Sequence, residues 1–160
     1  MTGRRLPQIA VAGGGACGRR AAALARALGR EIADAGAVLV CGGLGGIMEA
    51  AARGAAERGG TVVGILPGYH HRDGNPHLAI ALPTGLGFAR NTLVAAAGDA
   101  LIALPGREGT LSEIALARVL GRPVVTLGRP RDLPGVVVAR TPAEAVRRAL
   151  VLARRRARAL

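Results

Sequence analysis

Chemistry in this sequence centres on Arg90, Glu113 and the small-residue turn in "LPGREGTLSEIALA" (Leu104–Ala117). Gly106 and Gly109 let backbone N–H groups come close to a phosphate, and the helix expected after them adds its positive end. A carboxylate one turn into that helix can stabilise a developing positive charge, hold a hydroxyl or activate water. Thr110-Leu111-Ser112-Glu113 equally fits a capping box, in which threonine and glutamate only satisfy the helix start. The residues leave both roles for Glu113 open. Thr141-Pro142-Ala143-Glu144 has the same pattern with no other sign of a site around it, so capping is the expected role there. Arg90, in "PTGLGFARNTLVAAAG", falls near the start of a helix, where a cation opposes the helix dipole and a nearby anion would favour it. It is expected to clamp a phosphate or orient Glu113, the alternative being a pair with a neighbouring carboxylate.

Two more glycine-rich loops follow strand-like runs: Gly13-Gly14-Gly15-Ala16-Cys17-Gly18 and Gly42-Gly43-Leu44-Gly45-Gly46. One such loop is ordinary turn composition, but three in one sheet favour an anionic ligand. The first matches G-x-G-x-x-G, yet the next strand ends in Cys41 and glycines instead of the acid that would hold a ribose. It reads as a Rossmann-like turn without an NAD site.

The elements that must position these residues are legible from periodicity. Nearly continuous apolar runs mark strands at Gln8–Ala12, Ala37–Cys41, Thr61–Leu66, Leu78–Leu82, Ala100–Leu104, Pro123–Leu127 and Gly135–Ala139. Alanine-rich stretches mark helices at Arg19–Ala35, Ile47–Arg58, Gly87–Ala97, Leu111–Leu120 and Pro142–Arg158. This alternation predicts one α/β domain over residues 1–160, a Rossmann-like doubly wound parallel sheet with helices on both faces.

Composition removes several functions. All 22 basic residues are arginine, which excludes a Walker lysine and Schiff-base or pyridoxal phosphate chemistry of the usual kind. Ser112 is the only serine and lies in no esterase elbow, and one Tyr and one Phe make no base-stacking platform. Cys17 and Cys41 have no metal or disulfide spacing and are expected as small buried packing residues. His70, His71 and His77, with Asp73, lack a recurring ligand spacing, so no metal is expected and the segment reads as a surface loop or a lid touching the ligand. The net charge is +12, and half of it lies between Arg140 and Leu160, where there are seven arginines and one glutamate. That helix is expected to be solvated or to contact another subunit. Nucleic acid is not an expected partner, and polyanion binding through this helix ranks third among the functional readings. No run is apolar enough to span a membrane and no leader pattern opens the chain, so a cytoplasmic protein is expected.

Taken together, "GGLGGIMEAAARGAAERGGTVVGILPG", "PTGLGFARN" and "LPGREGTLSEIALA…GRPVV" resemble the LOG-like superfamily, once mislabelled as lysine decarboxylases. That superfamily includes the Lonely Guy phosphoribohydrolases, which release free base from cytokinin nucleoside 5′-monophosphates, and the molybdenum-cofactor carrier proteins. The likeness runs from about Gln8 to Leu127. It implies Arg90 and Glu113 as a catalytic pair and a phosphate held by the Gly106–Thr110 turn, since Pro105, Gly106, Gly109, Thr110 and Glu113 fill the hydrolase signature P-G-G-x-G-T-x-x-E. Gly13, Gly14, Gly43, Gly45, Gly46, Gly85, Asn91 and Arg107 are the further expected ligand-binding residues. Arg107 replaces the second signature glycine, where it either crowds the cradle or adds a cation. Asn91 replaces a usual lysine, and the wording of two motifs is closer to the carriers. The resemblance therefore implies a bound nucleotide, phosphate or molybdopterin, no required cofactor, and a homo-oligomer (dimer or tetramer). It leaves open whether the ligand is hydrolysed or only carried.

Overall fold

The computed structural model describes residues 5–128 and 133–159. Seven strands, β1 (Gln8–Ala12), β2 (Val38–Cys41), β3 (Val62–Leu66), β4 (Ile80–Pro83), β5 (Ala100–Ala103), β6 (Val124–Leu127) and β7 (Val137–Ala139), form one sheet in the order β4-β3-β2-β1-β5-β6-β7. Every pairing is parallel. Helices α1 (Arg19–Asp34), α2 (Ile47–Glu57) and α5 (Pro142–Ala159) cover one face, and α3 (Asn91–Ala97) and α4 (Glu108–Val119) the other. The fold is the expected Rossmann-like one.

Side-chain alternation explains why both faces are covered. Ile9 and Val11 of β1 point to α1 and α2, while Ala10 and Ala12 point to α3 and α4, and all four are fully buried. Helices α1 and α2 approach backbone to backbone. A Cβ on Gly29 would sit 1.9 Å from the Ala51 carbonyl oxygen, and one on Gly54 equally close to that of Arg26. The chain runs outward from β1 to β4 and then returns to lay β5 beside β1. That reversal opens a crevice between the loops after β1 and β5, where ligands of such sheets bind.

Two expected helices differ most from the structure. The helix expected over Gly87–Ala97 is a 3-10 turn, Gly87–Arg90, followed by α3. Helix α4 begins at Glu108, not Leu111, because Glu108 and Gly109 enter its first turn, where an acid suits the helix dipole. Thr110 is therefore inside the helix and no side chain caps it, so the capping box that the sequence left open at Thr110–Glu113 does not form. At α5 the Glu144 N–H donates to Thr141 Oγ1 at 3.2 Å, while the Glu144 carboxylate accepts from the Arg140 N–H at 2.8 Å.

Candidate functional site

The glycine loops after β1, β2 and β5 brace one another. The Gly14 N–H donates to the Pro105 carbonyl at 3.1 Å, and the Ile47 N–H donates to the Gly14 carbonyl at 2.9 Å. Gly13 lies against Ile47 so closely that a Cβ would come 2.3 Å from its side chain. Between the loops lies a cleft of about 680 Å³, lined by residues 13–18, Leu44, Met48, Phe88, Arg90, Asn91, Arg107, Thr110 and Glu113 among others. Helix α1 follows Gly18 and α4 follows Arg107, and no side chain caps either start. Their first N–H groups lack intrahelical acceptors, as at any helix start, and can take an anion.

Two charged side chains converge beneath this rim. Arg90 is 7% exposed and Glu113 is 5% exposed, and both line the cleft. Among the described residues no salt-bridge contact joins them, yet each lies within the other's field. Burial pushes the Glu113 carboxyl up to about 7, against the pull of the Arg90 guanidinium. Burial likewise lowers the Arg90 pKa, while Glu113 and then Cys41 favour its charge. Glu113 is thus a buried carboxyl raised toward neutrality, and it does not cap α4.

Arg90 is fixed by a relay of short contacts. One terminal nitrogen donates to the Gly42 carbonyl at 3.2 Å and the other to Asn91 Oδ1. Asn91 Nδ2 donates to Ser112 Oγ at 2.9 Å, and that hydroxyl donates to the Gly109 carbonyl at 2.7 Å. The relay ties the arginine to the turn opening α4. Arg90 Nε is buried with no hydrogen-bond partner among the described residues. Gly42 makes room for the guanidinium, since a Cβ there would sit 2.5 Å from Arg90 Nη2.

The expected site residues divide into two groups. Arg90, Asn91, Glu113, Gly13, Gly14, Gly106, Arg107, Gly109 and Thr110 all line the cleft. Gly43, Gly45, Gly46 and Gly85 do not. Gly43 packs on Leu66 and Gly64, Gly85 on Tyr69, and Gly46 on the carbonyl of Gly14, which makes Gly46 a brace for the first loop. Arg107 lies at φ −104°, outside the left-handed region that favours glycine, and brings a cation to the rim. Cys41 is buried as expected, and its thiol is pushed up to about 11, mainly by burial. Cys17 is exposed on the cleft wall instead of buried, because it lies in the loop before α1 and not in an element. His70, His71 and His77 do not line the cleft and lie in the segment between β3 and β4. Among the described residues no group of three or more His, Cys, Asp or Glu is placed to hold a metal. Sequence reasoning missed Ser112, Met48, Leu44 and Phe88; of these Phe88, 87% exposed in a glycine-flanked turn, gave the one readable signal.

Residues 6–155 match the SLOG cluster4 family. The chain belongs to this family. Its fold superimposes on the molybdenum cofactor binding protein of Rippkaea orientalis with a TM-score of 0.88 and 33% identity, over 94% of this chain and 99% of that one. The molybdenum cofactor carrier protein of Chlamydomonas reinhardtii gives 0.84 and 34%, over 92% and 98%. A cytokinin riboside 5′-monophosphate phosphoribohydrolase of Rhodococcoides fascians is 38% identical over 99 residues, 56% of this chain and 48% of that enzyme. The frame is LOG-like, and its full-length likenesses include these molybdenum cofactor proteins. No helix among the described residues is long and apolar enough to cross a membrane.

Proposed function

We propose that the cleft binds a phosphorylated small ligand of the nucleoside 5′-monophosphate type and hydrolyses its N-glycosidic bond. The observation that carries this is the buried Arg90–Glu113 pair beside two uncapped helix starts. The phosphate sits on the turn at Gly106–Thr110 and the start of α1, with Arg107 and Arg90 offsetting its charge against Glu113. This fixes the ribose over the carboxyl. As the bond between C1′ and the base breaks, its electron pair leaves with the base and positive charge builds on the sugar. Glu113, ionised, stabilises that charge and takes a proton from the attacking water; the base gains a proton, and ribose 5-phosphate and free base are released. A carboxyl near 7 can accept and return that proton at neutral pH.

A second reading has its own support. The full-length likeness to molybdenum cofactor proteins favours a carrier whose cargo is a phosphorylated pterin held by the same turns. A cleft of about 680 Å³ with uncapped helix starts and two arginines suits that cargo as well. The deciding experiment incubates the protein with nucleoside 5′-monophosphates and follows free base by chromatography, alongside binding of the phosphorylated pterin. Base release that Glu113→Gln abolishes supports the hydrolase. Pterin binding without base release from any nucleotide supports the carrier, and the absence of both sinks the cleft as a phosphate site.

A homo-oligomer belongs to the same proposal. Register places Ile80 and Leu82 on the α3/α4 face, beside Val63 and Ile65, yet both stay 47% exposed where no helix covers the sheet edge. Leu93 of α3 adds to the exposed apolar surface of that side, which suits burial against a second copy.

A further inference from the structure

The arginines of α5 are not accounted for by the fold. The helix carries Arg147, Arg148, Arg154, Arg155, Arg156 and Arg158 against one carboxylate, Glu144, which pairs with Arg148 at 2.7 Å. Ala145, Val146 and Ala149 are buried against the sheet, and all of these arginines except the half-buried Arg156 stand exposed. At about 100° per residue, Arg147, Arg154 and Arg158 fall within roughly 40° of one another and span about 16 Å, with Arg148 and Arg155 in a row beside them. Among the described residues, Arg148 alone of these five has a carboxylate within salt-bridge distance. The helix dipole favours cations only in the last turn, which leaves Arg147 and Arg148 outside its reach.

The α3/α4 face does not share this charge. Helix α3 carries no charged residue, and α4 carries two glutamates and one arginine. A second copy brings the same +12 and cannot neutralise it. An anionic membrane would call for an apolar stripe on the outer face, where among the described residues Val151 is the one large apolar side chain exposed. Single strands call for stacking aromatics, and Tyr69 and Phe88 both lie outside α1 and α5. Evenly spaced phosphates match what remains, and guanidinium forks bind phosphate well.

We propose that the outer face of α5 docks the phosphate backbone of duplex nucleic acid without reading its bases. The full-length protein is titrated into a labelled DNA duplex of about 20 base pairs and followed by fluorescence anisotropy across a salt series. Five phosphate contacts give a slope of log affinity against log salt near −4.5, a loss of about 500-fold from about 50 to 200 mM salt. Replacing Arg147, Arg154 and Arg158 by Gln leaves two contacts and a slope of about −1.8. Those side chains are exposed, so circular dichroism and the melting temperature stay at wild-type values. Arg107→Gln, at the cleft, keeps the full slope. The proposal is overturned by no binding at about 50 mM salt, by an unchanged slope in the triple variant, or by a slope that falls in Arg107→Gln. It is equally overturned if phosphatidylserine vesicles bind more tightly than duplex at the same salt.

Discussion

Replacing Glu113 by Gln should make the protein more stable at alkaline pH while removing its proposed chemistry. Unfolded, this carboxyl titrates at its ordinary 4.5; folded, burial raises it to about 7. Between those values the folded protein binds the extra proton, so stability falls as pH rises through the window and stays reduced above it. The separation corresponds to about 3 kcal/mol at pH 8, with the attraction of Arg90 already included. Glutamine keeps the shape and never ionises. Glu113→Gln should therefore recover most of that loss at pH 8 and almost none at pH 4. For a chain of this size the gain is roughly 6–12 °C in melting temperature. The assay is calorimetric or circular-dichroism melting of both proteins at the two pH values. Groups such as Glu57, held near 2 by Arg26 and Arg30, titrate alike in both proteins and cancel. A variant that melts at or below the wild-type temperature at pH 8, or shows the same difference at both pH values, would refute the burial argument.

Gly106→Ala puts a Cβ 1.9 Å from Thr110 Oγ1 and 3.0 Å from the Gly14 nitrogen, so the turn must move. Calorimetric titration should find phosphate-ligand binding lost while far-ultraviolet circular dichroism stays native. Ser112→Ala cuts the relay between Asn91 and the Gly109 carbonyl, at a cost of about 1 kcal/mol in stability and about fivefold in ligand affinity, read by denaturant melts and titration. Cys41, buried with its thiol near 11, should resist a thiol reagent at pH 8 while exposed Cys17 reacts. One thiol per native chain and two in denaturant is the expected count; two in the native state would contradict the burial.

The fold was largely legible because a parallel sheet covered on both faces writes itself as apolar runs. β1 and β5 read correctly to within a residue, and the wider misses, such as β4 starting at Ile80 instead of Leu78, fall where edge strands make few demands on sequence. The site was legible as a set of loops but not as a set of walls. Glycine marks both the residues that face a ligand and those that brace a neighbouring loop. Gly14 and Gly46 look alike in the sequence, yet one lines the cleft and the other supports it. Ser112 was read only for the esterase it excludes. Its partner Asn91 lies 21 positions away, and only the packing of α3 on α4 brings them together. The start of α4 was misplaced because Thr110 and Glu113 satisfy a capping rule that Glu108, two residues earlier, overrides.

The two departures from the hydrolase pattern act on one electrostatic problem. A phosphate beside Glu113 raises the cost of ionising a carboxyl that burial already holds near 7. Arg107 brings a second cation to the rim at a backbone angle that did not require glycine. Asn91 is buried and accepts from Arg90, so it aims the first cation where a lysine would have added another charge. The arginines are thus divided: one exposed at the mouth, one buried and bonded to the Gly42 carbonyl. Burying Arg90 with its Nε unsatisfied costs stability, and that cost is intelligible if the guanidinium answers a charge that arrives with the ligand.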